Sequence, residues 1–514
     1  MASTAATLDL ASAVEYLQSQ GERFGDVRGV EAYASANMLT QARLETLRYH
    51  GRTIGPLSQQ MVTIRNAAAS VRLVIGQRIG VCSTSYLTKP ELQQIVEQAH
   101  RSAAAQPDDP DFVDLATPLS RTPVRLPHDP AIVAGEVAEP LAAAAEAAIA
   151  AVDRPYLDLA GSMIAVSERM AIRSTNGIAV EDAIDTFTVA QLTAEWVEGA
   201  DVVSSGVGWS SGRHLGALDG AAAANDALEL ARIRPVQETV PEGDYTVLLG
   251  PYAVADIIDN LFAHATTLST CYYGLSWLPT VSREHNGRQV LEPAEGAQVV
   301  SEALTIVDDP TLPQGMASKS YDDEGVVTAV TPLVTEGRLV GTLSNSYFAN
   351  LYGRPTSGNG FRFGLRPGRL ATVDPAPSAT NTVVRPGDRT FDELVEQCDG
   401  PAIYLPRTWY TYPMRLGGTT FSSSNRATSF LIEGGELIPV APNAFKLVGD
   451  IGTVLGEVMG ISKETKMATT WAAASASIAP FILTRGMRVE RPGEVAEAEE
   501  GESYGEAAVD ESAF

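Results

Sequence analysis

The first apolar residues of the chain recur at helical spacing. Leu10, Val14 and Leu17 fall on one face of a helix. Asp9 precedes them as a suitable N-cap, and Gly21 follows them as a stop signal. This pattern predicts a helix at the start of the chain.

Strand-like runs come next, separated by turn residues. The predicted strands cover residues 29–36, 42–49, 62–64, 71–75, 78–82, 159–167, 169–173, 178–195 and 200–209. Helical patterns lie between and after them, over residues 88–105, 137–152 and 219–233. Antiparallel strands covered by helices predict an α/β domain over residues 1–235.

The pattern changes after residue 235. A linker leads to a strand of buried type over residues 245–249, and a helix follows that carries Asp259 and His264. Beyond residue 300, short strand-like runs alternate with glycine-rich turns, which predicts a mostly β domain over residues 236–488. The fold class is therefore predicted as α+β, with an N-terminal antiparallel sheet, its covering helices and a mostly β C-terminal domain. Residues 489–514 are acidic and predict a disordered tail.

Charge and cysteine usage narrow the class of protein. The net charge of −26 over 514 residues argues against nucleic acid and against an anionic membrane surface as partners. The three cysteines, Cys82, Cys271 and Cys398, are far apart and suit a reducing compartment. The sequence shows no signal-peptide pattern and no apolar run of about 18 residues that would span a membrane. We therefore predict a cytoplasmic protein.

Several short motifs occur in one order along the chain. They are Ile172-Arg-Ser-Thr-Asn-Gly177, Gly243-Asp-Tyr-Thr-Val-Leu-Leu-Gly250, Asp308-Asp-Pro-Thr311, Tyr321-Asp-Asp-Glu-Gly325, Thr356-Ser-Gly-Asn-Gly-Phe-Arg362, Val384-Arg-Pro-Gly387 and Leu431-Ile-Glu-Gly-Gly-Glu-Leu-Ile-Pro-Val440. This ordered series resembles the TldD/PmbA (TldE) family of peptidase subunits. The resemblance runs from about residue 8 to about residue 488.

The resemblance draws attention to a metal motif that is altered here. In that family, a TldD-type subunit binds zinc through His-Glu-x-x-x-His on a helix and through a cysteine near the C-terminus. The matching helix positions hold Asp259, Asn260 and His264, and Ser462 occupies the matching place of the cysteine. Zinc peptidases need imidazole ligands and a glutamate base, and an amide such as Asn260 is not a base at neutral pH. The resemblance therefore implies a TldE/PmbA-like member without its own metal, and zinc in a partner subunit.

Helix geometry limits what the remaining positions can bind. Residues i and i+5 lie about 140° apart on a regular α-helix, so Asp259 and His264 need a local widening of the helix and a third ligand to share a metal. Asp256, Asp259 and His264 together form a set that holds a hard cation only weakly. The plainer interpretation of His264 is a hydrogen-bonded residue on a partly buried helix.

Aromatic residues cluster in the C-terminal half. Those predicted to contact substrate are Tyr272, Tyr273, Tyr347, Tyr352, Trp409 and Tyr410. Aromatic faces hold extended peptides with little loss of side-chain entropy, although core packing is the favoured interpretation for any single one of these residues. The acidic runs at 308–309 and 322–324 are interpreted as turns whose Asp side chains accept backbone hydrogen bonds.

These observations and the resemblance together predict a non-catalytic subunit. It pairs with a TldD-type subunit in a heteromeric zinc metallopeptidase and helps to bind flexible or modified peptides, such as natural-product precursors, for maturation or degradation. Two alternatives remain open. One is a stand-alone enzyme of changed chemistry in the same cavity, with Asp256, Asp259, His264 or a tyrosine as acid–base group. The other is a homodimeric peptide-binding scaffold.

Overall fold

The computed structural model describes residues 6–45, 48–49, 52–53, 58–199, 201–285, 287–364, 367–469 and 475–491. Its helices are α1 (Leu10–Gly21), α2 (Lys89–Ala105), α3 (Pro130–Ala134), α4 (Ala138–Ala150), α5 (Gly220–Ala231), α6 (Pro251–Ile257), α7 (Leu268–Tyr272), α8 (Ser346–Leu351), α9 (Phe391–Glu396) and α10 (Ile451–Gly456). A 3₁₀ turn spans Leu215–Ala217, and a π-helical segment spans Ile258–Ala263.

The strands of the N-terminal half are β1 (Gly29–Glu45), β2 (Arg48–Tyr49), β3 (Arg52–Thr53), β4 (Ser58–Ile75), β5 (Arg78–Thr84), β6 (Leu157–Ser174), β7 (Ala179–Glu198) and β8 (Asp201–Gly212). Those of the C-terminal half are β9 (Gly243–Leu249), β10 (Thr280–His285), β11 (Arg288–Pro293), β12 (Ile306–Asp308), β13 (Thr331–Thr335), β14 (Arg338–Leu339), β15 (Gly360–Phe361), β16 (Ala376–Pro377), β17 (Asn381–Val384), β18 (Ala402–Leu405), β19 (Thr408–Pro413), β20 (Thr420–Asn425), β21 (Ser429–Glu433), β22 (Glu436–Val440), β23 (Lys446–Asp450), β24 (Gly460–Ala468) and β25 (Ala476–Glu490).

The N-terminal sheet has the strand order β5-β4-β1-β6-β7-β8 and is antiparallel throughout. Its side chains alternate between two covered faces, because successive residues of a strand point to opposite sides. Ala32 and Ala34 on β1 pack beneath α1 and α2. Tyr33 and Ser35, between and after them, hydrogen bond to residues of the C-terminal half. The predicted antiparallel sheet with covering helices is confirmed.

One strand of this sheet is longer than the sequence pattern predicted. Residues 29–36 and 42–45 belong to the single strand β1, and the polar stretch between the two predicted strands continues the ladder. Asn37 lies in that stretch and is buried, because its amide donates to the backbone oxygen of Arg369 at 2.7 Å and to Asn66 at 2.8 Å. Satisfied hydrogen bonds thus place polar residues where the pattern indicated a break.

The C-terminal half forms a larger mixed sheet. Its main path runs β14-β13-β12-β17-β25-β9-β18-β21-β22, with β19, β20, β23 and β24 attached beside it. Two pairs on this path, β9 with β18 and β17 with β25, are parallel. A large apolar core surrounds the central strands and includes Phe262, Phe421 and Phe445. The predicted mostly β C-terminal half is confirmed.

The predicted boundary of the acidic tail was two residues too early. Val489 and Glu490 belong to β25, where Val489 is fully buried and pairs with Gly243 on β9. Residues 492–514, which hold the rest of the predicted tail, lie outside the described residues. Within the described part of the chain, no helix is long and apolar enough to cross a membrane.

Buried ion pairs join the N-terminal sheet to the C-terminal half. Arg369 contacts Asp323 at 2.6 Å and Asp185 on β7 at 3.0 Å, and Arg362 contacts Glu31 on β1 at 3.0 Å. The neighbouring carboxylates of the acidic turn at residues 322–324 accept backbone N–H groups, as predicted from the sequence. Paired and hydrogen-bonded charges make this contact rigid, since breaking one pair leaves a buried charge without compensation.

Candidate functional site

The candidate site lies at the carboxyl ends of two neighbouring parallel strands. β9 and β18 run side by side, with Leu249 beside Leu405 at their carboxyl ends. The chain then turns at Gly250 into α6, while β18 continues into Pro406 and Arg407. The N–H of Gly250 donates to the Leu405 carbonyl at 2.8 Å, and a Cβ at Gly250 would lie 2.9 Å from the Pro406 carbonyl oxygen. Glycine therefore allows α6 to begin directly against the Arg407 segment, at the sheet edge where α/β folds commonly bind ligands.

A cavity of about 70 Å³ lies at this edge, between α6, β19 and the N-terminal sheet. Its lining residues are Gln191, Trp209, Asp256, Asn260, Arg407, Trp409, Tyr410, Thr411, Tyr412 and Thr469. Gln191 and Trp209 face it from directly opposite positions on β7 and β8. The cavity is thus built from both halves of the chain, and boundaries of this kind commonly hold ligands.

Arg407 is the cation of the cavity. Its guanidinium lies between two indole rings, 5.0 Å from the ring centre of Trp209 and 4.5 Å from that of Trp409. Only 6% of the residue is exposed. Burial lowers the pKa of Arg407 to about 10, so the side chain remains protonated at neutral pH.

Asp256 is the carboxylate of the cavity. Burial raises its pKa to about 6, although the Arg407 charge and a hydrogen bond from Thr408 favour the ionised form. The Thr408 hydroxyl donates to the Asp256 carboxylate at 3.0 Å. Asn260 follows Asp256 by four residues, and both side chains line the cavity. The site therefore holds a carboxyl group that changes its charge near neutral pH, beside an amide that does not.

A bulge in β19 directs consecutive side chains into the cavity. The register between β19 and β20 shifts between Trp409 and Tyr412, and Tyr410 has a left-handed backbone with φ of 55°. In a regular strand, successive side chains alternate between the two faces. Here the bulge lets Trp409, Tyr410, Thr411 and Tyr412 all line the cavity. A left-handed tyrosine is strained by about 1–2 kcal/mol, which is typical of backbone at functional sites.

The π-helical segment carries the positions that match the metal helix. It spans Ile258–Ala263 and supplies the local widening that a shared i and i+5 site requires. Asp259 is nevertheless buried and accepts a 2.6 Å hydrogen bond from Ser477. The predicted hydrogen bond of the His264 side chain is not found among the described residues. His264 itself is exposed, but the turn that precedes it is buried, so the predicted partly buried helix is present. These positions do not fit zinc, and no group of three or more His, Cys, Asp or Glu within the described ranges could hold a metal ion.

Ser462 lies away from the helix. Its buried hydroxyl donates to the Glu464 carbonyl at 2.7 Å and accepts the Phe481 N–H at 2.8 Å. Ser477, which contacts Asp259, is four residues from Phe481 along β25, or about 13 Å at the rise of an extended strand. The structure therefore does not bring Ser462 together with Asp259. Its hydroxyl instead closes the irregular pairing between β24 and β25.

The six aromatic residues predicted to bind substrate fall into two places. Trp409 and Tyr410 line the cavity. The other four pack near Phe348 and the 109–111 segment: Tyr272 donates to Asp111, Tyr347 to Asp109, Tyr352 to the Leu291 carbonyl, and Tyr273 packs its ring edge against Tyr272. The hydroxyl groups of Tyr272, Tyr347 and Tyr352 already have partners, and of the four only Tyr273 is largely exposed.

Sequence reasoning missed half of the cavity wall. The missed residues are Gln191, Trp209, Arg407, Thr411 and Thr469. A local signal existed at Arg407-Thr-Trp409, where a cation and an aromatic residue are two positions apart and share a face of an extended segment. No local signal linked Trp209 to that segment, because the two are about 200 residues apart.

One protein-family model matches the C-terminal half of the chain. Residues 242–491 match the family model described as the PmbA/TldA metallopeptidase C-terminal domain. The C-terminal half of the chain therefore resembles the PmbA/TldD family.

Two proteins named as metalloproteases are also similar to this chain. The chain is 30% identical to a metalloprotease of Methanothermobacter thermautotrophicus over 241 residues, which are 47% of each protein. It is 30% identical to a metalloprotease TldD homolog of Haemophilus influenzae over 173 residues, which are 34% of each. The matched region thus spans about half or less of the length of these two relatives.

The whole fold also has a counterpart among solved structures. The crystal structure of TldE from Thermococcus kodakarensis superposes with a TM-score of 0.74, covering 93% of this chain and 99% of the other. The two sequences are 18% identical, so the superposition shows a shared fold. The α+β architecture described above is therefore also the fold of that TldE protein.

Proposed function

We propose that this chain is a TldE/PmbA-like subunit that does not carry out catalysis itself. In the proposal it pairs with a TldD-type subunit, which holds zinc, in a heteromeric metallopeptidase. The observation that carries the proposal is Asn260. Its amide lines the cavity at the position that matches the general base of the resembled motif, and an amide does not take up a proton at neutral pH.

The neighbouring positions support this proposal. Asp259 is tied to Ser477, His264 is exposed, and Ser462 lies in a separate irregular strand pair. No single substitution restores three metal ligands to such an arrangement. A family member whose fold is kept while its metal positions serve other contacts fits the role of a supporting subunit.

The proposed role of the chain in the heteromer is to hold peptide. The cavity is lined by aromatic rings, amides and one arginine, which suit a flexible chain better than a rigid, uncharged ligand. We propose flexible or modified peptides as substrates of the assembly, in maturation, including that of natural-product precursors, or in degradation. We place this activity in the cytoplasm, since the three cysteines show no disulfide framework.

Co-expression with a TldD-type subunit from the same genome tests the proposal. We expect a complex whose mass contains both chains, about one zinc per TldD-type subunit, and peptide cleavage that needs both. The matched control is a TldD-type subunit with glutamine in place of its motif glutamate, which should still assemble but not cleave. Zinc bound stoichiometrically to this chain alone, together with peptidase activity, would overturn the proposal. A homodimer that binds peptide but no TldD-type subunit would support the scaffold alternative instead.

A second candidate function has one observation in its favour. Asp256 combines burial in a cavity with a pKa raised to about 6, which is a property of acid–base catalysts. Under this alternative, the chain alone would catalyse a reaction that Asp256→Asn abolishes. Under the subunit proposal, the same variant still supports cleavage by the heteromer, because the chemistry resides in the partner.

A further inference from the structure

We infer that the cavity around Arg407 binds a carboxylate group of a peptide, with the Arg407 guanidinium as its counter-charge. The inference rests on the proposed function only in taking the ligand to be a peptide. The recognition itself follows from the side chains that line the cavity.

Arg407 differs from the other strongly buried arginines in what it contacts. Those arginines each reach a carboxylate within 3.0 Å: Arg72 reaches Glu31, Arg213 reaches Asp185, Arg362 reaches Glu31, and Arg369 reaches Asp323. Within the described residues, the Arg407 side chain has neither an ion pair nor a hydrogen bond, and its contacts are the two indole rings. Asp256 is near enough for its charge to raise the pKa of Arg407, but the two side chains form no ion pair in the described residues. A buried charge is normally paired directly, so we expect a ligand to supply the contacting anion.

The two indoles determine how a ligand approaches. Trp209 and Trp409 cover Arg407 by cation–π contact, which leaves the edges of the guanidinium for hydrogen bonds. Those edges carry parallel N–H donors whose spacing matches the two oxygens of a carboxylate. The guanidinium of Arg407 therefore presents two parallel N–H donors in a fixed orientation.

Additional donors face the same cavity. The indole N–H of Trp209 and the hydroxyl of Thr469 are buried and have no hydrogen-bond partner among the described residues. Both residues are at least nine-tenths buried. Unpartnered buried donors are rare in folded proteins, and two of them beside an unpaired guanidinium favour an acceptor-rich ligand. A carboxylate accepts up to about four hydrogen bonds, which matches this set of donors.

The charge and the size of the cavity limit the ligand further. Asp256 is the one carboxylate in the lining, and it is engaged by Thr408 and not ion-paired with Arg407 in the described residues. A second cation, Arg426, lies close enough to lower the pKa of Arg407. The volume of about 70 Å³ holds roughly five water molecules, or a carboxylate with a few further atoms. The cavity thus suits the terminal group of a peptide and not a whole folded segment.

Two sources supply such a carboxylate, the C-terminus of a peptide and an Asp or Glu side chain. Three short probes separate them: N-acetyl trialanine with a free C-terminus, the same peptide as the C-terminal amide, and an amidated peptide with aspartate at its centre. Binding of each probe to the full-length chain is measured by isothermal titration calorimetry. Tryptophan fluorescence provides a second readout, because Trp209 and Trp409 contact Arg407 directly.

We expect the free-acid peptide to bind at least about tenfold more tightly than its amide, since a buried charged hydrogen bond is worth about that factor or more. Equal affinity for the central-aspartate amide would identify a side-chain carboxylate as a ligand as well. Arg407→Gln should remove the difference between acid and amide. Arg407→Lys should reduce the difference in affinity between acid and amide, because lysine keeps the charge but lacks the two parallel N–H donors. Arg415→Gln, at an exposed arginine beyond β19, is the matched control and should keep the full preference.

Three results would overturn the inference. They are equal affinity of the unaltered chain for the free-acid peptide, its amide and the central-aspartate amide, no detectable binding of any carboxylate probe up to millimolar concentration, and a preference that survives Arg407→Gln. The first two use the unaltered chain, so they do not depend on the folding of a variant. The test also stands apart from the proposed function. A heteromer that cleaves peptides while this chain shows no acid preference refutes only the inference, and acid binding without assembly refutes only the subunit role.

Discussion

Replacing Asp256 by asparagine should stabilise the protein at neutral pH but not in acid. The Asp256 carboxyl is buried, and its pKa rises from 3.8 to about 6 on folding. The folded chain therefore binds this proton more tightly than the unfolded chain does. Stability falls as the pH rises from about 4 to about 6 and then levels off, because only the unfolded state has lost its proton over that interval.

The size of the effect follows from the shift. The pKa of Asp256 differs by about two units between the folded and unfolded states, which corresponds to about 3 kcal/mol. Ionised Asp256 therefore lowers the free energy of unfolding by about this amount at pH 7. Asparagine has no proton to lose, and its oxygen can still accept the Thr408 hydroxyl. Part of this decrease is already present at pH 4.5. From about pH 4.5 to 7.5, the free energy of unfolding of Asp256→Asn should therefore rise by about 2 kcal/mol relative to that of the unaltered protein.

The assay is urea unfolding of both proteins at several pH values between these limits. At each pH, the unfolding free energy of the variant is compared with that of the unaltered protein. The test is how this difference changes with pH, because any effect of the substitution that does not depend on pH cancels. Asp388→Asn is the matched control, because the Asp388 side chain is 96% exposed. The difference in unfolding free energy between this variant and the unaltered protein should not change with pH. A difference for Asp256→Asn that stays constant, or that favours aspartate as the pH rises, would refute the reasoning. It would mean that Arg407 holds Asp256 ionised.

Two further predictions concern the supports of the site. Gly250→Ala should lower the unfolding free energy by about 1–3 kcal/mol, because its Cβ would lie 2.9 Å from the Pro406 carbonyl oxygen, and urea unfolding measures it. Tyr33→Phe should lower it by about 1.5–3 kcal/mol, because a buried 2.8 Å hydrogen bond from the Tyr33 hydroxyl to the Asp323 carboxylate is lost, and thermal and urea unfolding measure it.

Each of these predictions has a control in the chain. Gly456→Ala lies at the end of α10 with no atom within 4 Å of the added Cβ, so it should be neutral or slightly stabilising. Tyr273→Phe changes a tyrosine that is 63% exposed and should change stability little. Equal effects of Gly250→Ala and Gly456→Ala would show that the approach of α6 to the Arg407 segment is not tight. An unchanged stability for Tyr33→Phe would show that the Asp323 carboxylate finds another donor.

Local chemistry made several elements predictable from the sequence. Asp9 was expected to cap the first helix, and it accepts the Ser12 N–H at the start of α1. Asp219, the first residue of the helix predicted over residues 219–233, likewise accepts the Ala222 N–H at the start of α5. β4 and β5 form a hairpin that turns between the strands predicted over residues 71–75 and 78–82, and Gly76 at that turn has the left-handed backbone that favours glycine. These features depend on residues within a few positions of one another. A single sequence therefore carries the information that specifies them.

The sequence by itself thus determined the helix ends, the turns, the fold class and the replacement of the motif base by Asn260. Only the tertiary structure decided the site. Trp209, Asp256, Arg407 and Thr469 come from four distant parts of the chain, and only the packing of the N-terminal sheet against the C-terminal half brings them to one cavity. Whether a buried charge has a partner depends on every segment that packs around it. No local pattern could show that, among the arginines buried in the described residues, Arg407 is the one without an ion pair and contacts two indole rings instead.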